Sequence, residues 1–320
     1  VMVLNRVGVS VVERNVADAL ARIDEVERLG IYGAWMTVSG VRGLDALTIF
    51  AVAASRTQHV QLGTSIVTSW PRHPVVMAEQ AAVVGQLAPG RFRLGVGPSH
   101  KATMEGVYGL NFYKPLSHLK EYLYIVKELI REGTVDYDGK YYQAHTKQEC
   151  PVRDVPVMAS ALRKRSFEFC GAETDGAISW VCPGVYLRDV AMPAILEGAS
   201  RAGRESPPPL IAHVPVCVHD GQEEVRLASR KQMVNYPKAP SYAQMFCDAG
   251  FPEATNGLWS DRMLDAVVVS GSESIVEERL REWFAFGATE LLVSPVLVGP
   301  DKEYSLQRTL QVVAKLCRTA

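Results

Sequence analysis

Short apolar runs of strand character alternate with longer amphipathic runs along the chain, and this alternation limits the possible folds more than any other feature. Helical spacing follows the strands, as at 16–29, where Gly30 closes the pattern. Eight strands, each followed by a helix, favour a closed (β/α)8 TIM barrel over an open sheet. The eight predicted strands are residues 7–12, 33–37, 60–67, 91–96, 155–159, 176–181, 210–218 and 290–296.

The domain organisation follows from this pattern only in part, because 320 residues suffice for one large α/β domain or for two ordinary ones. We predict a single barrel domain over residues 1–320 with two insertions. A small hairpin is predicted near 134–142, around an Asp138-Gly139 turn, and an irregular segment near 237–258.

The composition indicates which kinds of partner and ligand to expect. The formal net charge is -1 and 48% of the residues are hydrophobic, so we expect a small-molecule substrate and no nucleic acid. The six cysteines lack C-x-x-C spacing, which favours reduced, buried thiols in a cytoplasmic protein and no metal site. No apolar run approaches the roughly 20 residues of a membrane helix, and the N-terminus has no signal-peptide pattern, so we expect a cytoplasmic protein without membrane contact.

The active site of a (β/α)8 barrel lies at the carboxyl ends of its strands, and here those ends carry few groups that ionise near neutral pH. They show neither paired carboxylates nor a nucleophile with its base, which argues against a hydrolase. The small, apolar and hydroxylic residues there suit the flat ring of a redox cofactor that brings its own reactivity. These ends are residues 36–38, 65–68, 97–100, 159–162, 179–181, 219–220 and 294–295.

The segment 90–100 reads as a turn, a buried strand and a strand end rich in Gly, Pro, Ser and His. Gly95 and Gly97 remove side chains where a ligand or another backbone comes close, and the pattern alone does not choose between tight packing and cofactor contact. His100 is placed to donate to a cofactor carbonyl or to move a proton, although a solvent-facing histidine fits equally. His73 is predicted to cap the third helix or to pack under the loop, rather than to act in catalysis.

A second candidate site runs from Ala159 to Arg165, where small residues pass from a strand into the start of a helix. The backbone amides of residues 160–162 are predicted to bind a phosphate, with charge added by Arg163 or Lys164. The alternative is that three basic residues simply form a solvated face, although they oppose the helix dipole there. Trp180 lies at another strand end and is predicted either to be buried in the core or to form one wall of a site for a planar ligand.

Taken together, these segments resemble the luciferase-like monooxygenase superfamily of flavin and deazaflavin enzymes, in particular its bacterial branch that uses coenzyme F420. The order and spacing of the motifs over most of the chain carry the resemblance, more than any single one. They are residues 62–67, 71–74, 78–80, 90–100, 105–109, 114–123, 172–180, 198–203, 215–218 and 286–289.

The resemblance implies a bacterial luciferase-like barrel that forms a homodimer and transfers a hydride between the deazaflavin C5 and a small organic substrate. It implies a non-prolyl cis peptide at Ser65-Ile66 and places the deazaflavin ring beside residues 97–99, the phosphate at 160–162 and the tail beside 179–180. His100 is the candidate catalytic residue. The predicted cofactor-binding set is Thr37, Ser65, Ile66, Gly97, Pro98, Ser99, His100, Ala159, Ser160, Ala161, Leu162, Arg163, Ser179 and Trp180.

The sequence departs from the family at two positions that matter for chemistry. Characterised deazaflavin enzymes carry an acidic residue or an Asp-His pair at strand two, where Met36 and Thr37 stand, and some place a glutamate where His100 stands. A sugar-phosphate dehydrogenase is therefore not expected. Two alternatives stay open: an FMN-dependent monooxygenase of the same fold that uses reduced flavin and oxygen, and a barrel that binds ligands without any cofactor.

Overall fold

The structure, a computed structural model, describes residues 5–38, 43–149 and 151–318. Cys150 lies outside these residues, and the five cysteines within them are free thiols. The strands are β1 (Val7–Ser10), β2 (Gly33–Val38), β3 (Gln61–Thr68), β4 (Phe92–Gly97), β5 (Thr134–Asp138), β6 (Gln143–Lys147), β7 (Val157–Ser160), β8 (Ala177–Trp180), β9 (Leu210–Val218), β10 (Val269–Gly271) and β11 (Glu290–Pro295).

Thirteen helices accompany these strands in the described residues. They are α1 (Val16–Arg28), α2 (Ala46–Ala54), α3 (Pro74–Leu87), α4 (Lys101–Gly106), α5 (Pro115–Arg131), α6 (Lys164–Glu173), α7 (Gly184–Tyr186), α8 (Met192–Arg201), α9 (Gln222–Gln232), α10 (Pro240–Asp248), α11 (Asp261–Val267), α12 (Glu273–Ala285) and α13 (Lys302–Arg318). A π-helical turn at Leu187–Ala191 joins α7 to α8, and a 3-10 helix covers Pro252–Asn256.

The main sheet confirms the predicted (β/α)8 barrel. Its nine strands follow the order β10-β9-β11-β1-β2-β3-β4-β7-β8, and β8 also pairs with β9, so eight of the strands form a closed ring. The ninth strand, β10, pairs only with the last three residues of β9 and was not predicted from the sequence. Strands β5 and β6 form a separate antiparallel hairpin, paired from Thr134 with Lys147 to Asp138 with Gln143.

The described chain divides into two compact units. Residues 11–28 and 33–160 form what we call the N-terminal unit, and the residues up to 10 together with 29–32 and those from 161 onward form the C-terminal unit. The prediction of a single domain over the whole chain stays a prediction.

In the N-terminal unit, α2 and α3, which together carry a single charged residue, pack against the parallel strands. Trp35, Phe50, Leu62 and Phe92 are fully buried there. His73 caps α3, its Nδ1 accepting a hydrogen bond from the amide of Val75 at 3.3 Å, which confirms its predicted structural role. Pro74 then occupies the first turn, where a missing amide hydrogen costs nothing.

In the C-terminal unit, helices α6 and α8 cross with their backbones in contact. A Cβ on Gly198 would overlap the carbonyl oxygen of Glu168, and one on Gly171 would overlap that of Ile195. Glycine therefore stands on both helices where the other backbone passes. Arg204 extends this packing by donating from Nη1 to the carbonyl oxygens of Gly171 and, at 2.6 Å, Thr174.

Candidate active site at the strand ends

The carboxyl end of β3 carries an irregular backbone. The peptide bond between Ser65 and Ile66 is cis, which confirms the position implied by the resemblance. Thr37 Oγ1 on β2 donates a 2.7 Å hydrogen bond to the carbonyl oxygen of Ser65. One strand away, Thr64 Oγ1 accepts from the amide of Gly95 and donates to its carbonyl, each at 2.8 Å. Side-chain hydroxyls thus hold the strands together where the pairing register of β3 shifts.

At the end of β4, Gly97 packs against two other predicted site residues. A Cβ at this position would overlap Ser160 Oγ on β7 and would lie 2.8 Å from Cγ1 of Ile66 on β3. The carbonyl of Gly97 also accepts from the amide of Ser69 at 3.0 Å. The backbone at Gly97 is therefore tightly packed, and the ends of β3, β4 and β7 form one surface of uncharged side chains.

The residues after β4 continue this surface and then turn sharply. Pro98 is partly exposed, and the partly exposed Ser99 has φ +63°, a left-handed conformation that costs a residue other than glycine free energy and is enriched at functional sites. His100 precedes the first turn of α4, makes no side-chain hydrogen bond to the helix amides, and is exposed. Surrounding protein atoms nevertheless desolvate its ring and lower its pKa below the ordinary value.

The structure contradicts two of the three backbone amides that were predicted to bind the phosphate. The amide of Ala161 donates to the carbonyl of Ile178 at 2.9 Å, and the amide of Leu162 donates to Ser166 Oγ at 3.0 Å. Ser166 Oγ accepts from the amide of Arg163 as well, because α6 begins only at Lys164 and this hydroxyl serves the amides before it. The amides of Ala161 and Leu162 are therefore already bound within the protein.

The basic side chains beside this segment are exposed, as a solvated face would be. Arg163 lies 3.6 Å from Asp248, and Lys164 forms ion pairs with Glu168 and Glu197 at 3.6 and 3.5 Å. Exposed pairs of this kind contribute little stability, so these cations can exchange partners.

In the C-terminal unit, Ser179 is buried and Trp180 is partly exposed at the end of β8. The Trp180 ring lies 4.2 Å from that of His213 and 5.7 Å, edge-on, from that of Tyr236. Burial lowers the pKa of His213 to about 3, so this imidazole is neutral. The next residue, Val181, has φ +46°, which is a pronounced outlier for a β-branched side chain.

The sequence analysis missed a histidine and aromatic cluster beyond β3. Trp70 stacks on His118 with ring centroids 3.6 Å apart and planes 7° from parallel, and Phe112 lies 5.3 Å from the indole. Tyr142 OH and His118 Nε2 share a 2.8 Å hydrogen bond. His118 lay inside a motif of the resemblance, but nothing in its spacing to residues 70 and 142 indicated contact.

The described part of the chain has neither a helix that could span a membrane nor a cluster of metal-ligating side chains. None of its helices is both long and apolar enough to span a membrane. Within residues 5–38, 43–149 and 151–318, no group of three or more His, Cys, Asp or Glu side chains is placed to hold a metal ion.

The protein-family model described as luciferase-like monooxygenase matches residues 1–290 of this chain. A barrel whose third strand ends in a cis peptide, followed by uncharged strand ends, agrees with that match. The chain belongs to the luciferase-like monooxygenase family.

The relatives match this chain over most or about half of its length, and the solved structures match it over nearly all of its length. A 5,10-methylenetetrahydromethanopterin reductase of Methanopyrus kandleri is 26% identical, covering 83% of this chain and 85% of its own. An F420-dependent glucose-6-phosphate dehydrogenase of Kineococcus radiotolerans is 33% identical over 53% of this chain and 52% of its own. The structure of an F420-dependent secondary alcohol dehydrogenase superposes with a TM-score of 0.80 at 16% identity, covering 98% of both chains. A monooxygenase solved with FMN shares the fold at 15% identity, with a TM-score of 0.71 over 98% of both chains.

Proposed function

We propose that this protein is an oxidoreductase that transfers a hydride between coenzyme F420 and a small organic substrate. The observation that carries the proposal is the surface at Gly97, Ile66 and Ser160, whose side chains carry no charge. Such a surface suits a bound cofactor that supplies the reactivity. Relatives named F420-dependent support the deazaflavin over other cofactors.

The residues at the ends of β3 and β4 fit a flat ring. Ile66, Pro98 and Ser99 are partly exposed, and Gly97 presents no side chain between them. Thr37 and Ser65 lie at the base of this surface and hold its backbone by their hydrogen bond. When bound, coenzyme F420 supplies a carbon that donates or accepts a hydride. The protein's part is to hold the ring on this surface and leave its other face to the substrate.

The remaining predicted residues take binding roles in this proposal. Ser160, with its hydroxyl beside Gly97, and Arg163, which would exchange Asp248 for the ligand, bind the cofactor phosphate at the start of α6. Ser179 and Trp180 lie along the tail. Ala159, Ala161 and Leu162 keep this segment small and apolar rather than providing free amides.

His100 has two possible tasks within this function. Its lowered pKa keeps the imidazole neutral at pH 7, so one ring nitrogen can donate to a cofactor carbonyl while the other accepts. A neutral imidazole can also accept a proton from an alcohol substrate.

Titration with the two cofactors tests the proposal. We expect saturable quenching of deazaflavin fluorescence by the protein and no binding of FMN at the same concentrations. Binding of FMN alone would instead establish the monooxygenase alternative, whose oxygen chemistry needs reduced flavin. If neither cofactor raises the unfolding temperature at saturation, the protein is a binding barrel without either cofactor.

We also propose that the protein is a homodimer formed through α2 and α3. Val52 on α2 and Val76, Val83 and Leu87 on α3 are each between 43% and 53% exposed, although α2 has no charged residue and its other face is buried. Exposed apolar side chains close together on helices mark interfaces, and a second copy would cover these four. Reduced thiols and this assembly fit a cytoplasmic enzyme.

Sedimentation velocity tests this assembly. We expect a dimer of the wild type and a monomer for Val83→Glu, because a buried carboxylate opposes association. The control is Leu227→Glu on α9, where the leucine is 69% exposed, and it should remain dimeric. A wild-type monomer at micromolar concentration would refute the dimer.

A further inference from the structure

The loop after β3 presents an indole whose position is fixed from behind. Trp70 follows the last residue of β3 by two positions, and one face of its ring lies parallel on His118, 3.6 Å between centroids. Phe112 adjoins at an angle of 38°, and Trp70 remains partly exposed. The loops after barrel strands form the substrate end of this fold, so the loop that carries this supported, partly exposed indole lies on the side where substrates bind.

The support for this indole comes from the β5–β6 hairpin. Tyr142, at the hairpin turn, shares the 2.8 Å hydrogen bond with His118 Nε2. Glu121 on α5 fixes the turn by accepting from the amides of Lys140, Tyr141 and Tyr142 at 3.0, 2.7 and 3.2 Å. The hairpin therefore holds the histidine, and the histidine holds the tryptophan.

The cluster carries no charge near neutral pH. Burial lowers the pKa of His118 to about 4, against a smaller opposing effect of the Glu121 carboxylate, and burial raises the pKa of Tyr142. The nearby Arg72 donates from Nη2 to Asp45 at 2.6 Å, while its Nη1 is buried without a hydrogen-bond partner among the described residues. His118 Nδ1 is buried without a partner there as well, and an unpaired buried polar atom costs free energy.

We propose that Trp70 determines substrate specificity by stacking on an uncharged substrate with a flat apolar ring, and that His118 and Tyr142 are positioning residues that fix the indole for this contact. The inference rests on the proposed function, because it assigns the strand ends to an active site. A neutral aromatic wall favours a planar organic substrate through stacking and burial of apolar surface.

Binding of acetophenone and acetone to the cofactor-free protein tests the assignment of Trp70. Both ketones carry the same carbonyl and methyl group, and only acetophenone has a ring. By saturation-transfer NMR we expect acetophenone to bind through its ring protons, about tenfold more weakly in Trp70→Leu, while Trp70→Phe retains most of the affinity. Absence of acetophenone binding to the wild type, or equal affinity in Trp70→Leu, would overturn the proposal, as would the same loss for acetone.

The positioning role of His118 and Tyr142 is tested with the same probe. His118→Phe keeps a flat ring under the indole and should preserve acetophenone affinity, whereas His118→Leu should weaken it several-fold. Tyr142→Phe removes the hydroxyl and should produce a smaller loss, with no change for the matched control Tyr137→Phe on the same hairpin. Equal affinity in His118→Phe and His118→Leu, with both folded by circular dichroism, would reject the stacking role.

Two measurements separate failure of this inference from failure of the proposed function. Acetophenone binding is measured without cofactor, so it stands or falls independently of the coenzyme F420 titration. Glucose 6-phosphate provides the opposite probe: it should not displace acetophenone at millimolar concentration. Displacement that is lost in Trp70→Leu would show a sugar-phosphate site on this wall and overturn the proposed substrate class.

Discussion

Gly97→Ala is expected to weaken binding of coenzyme F420 about tenfold or more. The added Cβ would overlap Ser160 Oγ and approach Cγ1 of Ile66 to 2.8 Å, so at least one of these proposed cofactor contacts must move. Overpacking of this kind costs about 1–3 kcal/mol, and 1.4 kcal/mol lost from the bound state is tenfold in affinity. The measurement is the fluorescence titration with coenzyme F420.

Two controls make this result specific. Gly43→Ala places its Cβ with no atom of the described residues within 4 Å and should bind the coenzyme as the wild type does. Because the closest overlap is with the hydroxyl, Gly97→Ala should lose less affinity in a Ser160→Ala background than in the wild type. A dissociation constant for Gly97→Ala within twofold of wild type would contradict the assignment of this surface to the cofactor.

The largest loss of stability is expected from Gly198→Ala, at about 3 kcal/mol or more. Its Cβ would overlap the carbonyl oxygen of Glu168 and lie 2.9 Å from the carbonyl carbon, and these are backbone atoms of α6. A backbone cannot rotate out of the way as a side chain does, so the two helices must separate. The gain in helix propensity, about 1 kcal/mol for alanine over glycine, offsets only part of the cost.

Urea denaturation followed by circular dichroism measures this effect. The matched control is Gly106→Ala, a helical glycine in α4 whose Cβ meets nothing within 4 Å, and it should be as stable as wild type or slightly more so. A Gly198→Ala protein whose free energy of unfolding falls by less than about 1 kcal/mol would mean that α6 and α8 can separate at little cost.

Most of the fold was predictable because its signals are local. Strand runs and helical spacing repeat within windows of ten to fifteen residues, and the barrel follows from their order. The strand Val269–Gly271 was not predicted because three residues are too few to show an alternating pattern. Helix α10 lies within the segment near 237–258 that was predicted to be irregular, and there Pro240 begins a helix.

The candidate site was predictable only where strand ends define it. The packing of Ile66, Gly97 and Ser160 joins residues predicted separately by that rule. The amides of Ala161 and Leu162 were misassigned because the first donates to the carbonyl of Ile178 and the second to the hydroxyl of Ser166, two hydrogen bonds that composition does not reveal. The contact of His118 with Tyr142 depends on how α5 and the hairpin fold together, which no pattern in the sequence specifies.

The bond between Glu121 and the hairpin amides has a consequence for how this enzyme class diversifies. Helix α5 and the hairpin occupy one uninterrupted stretch, from Pro115 to Lys147, and contain both the histidine and the tyrosine behind Trp70. The surface proposed for the cofactor is made from strands that lie outside this stretch. Recombination or drift confined to this stretch would change how the indole of Trp70 is held, while Trp70 itself and the strands of the proposed cofactor surface would be inherited unchanged.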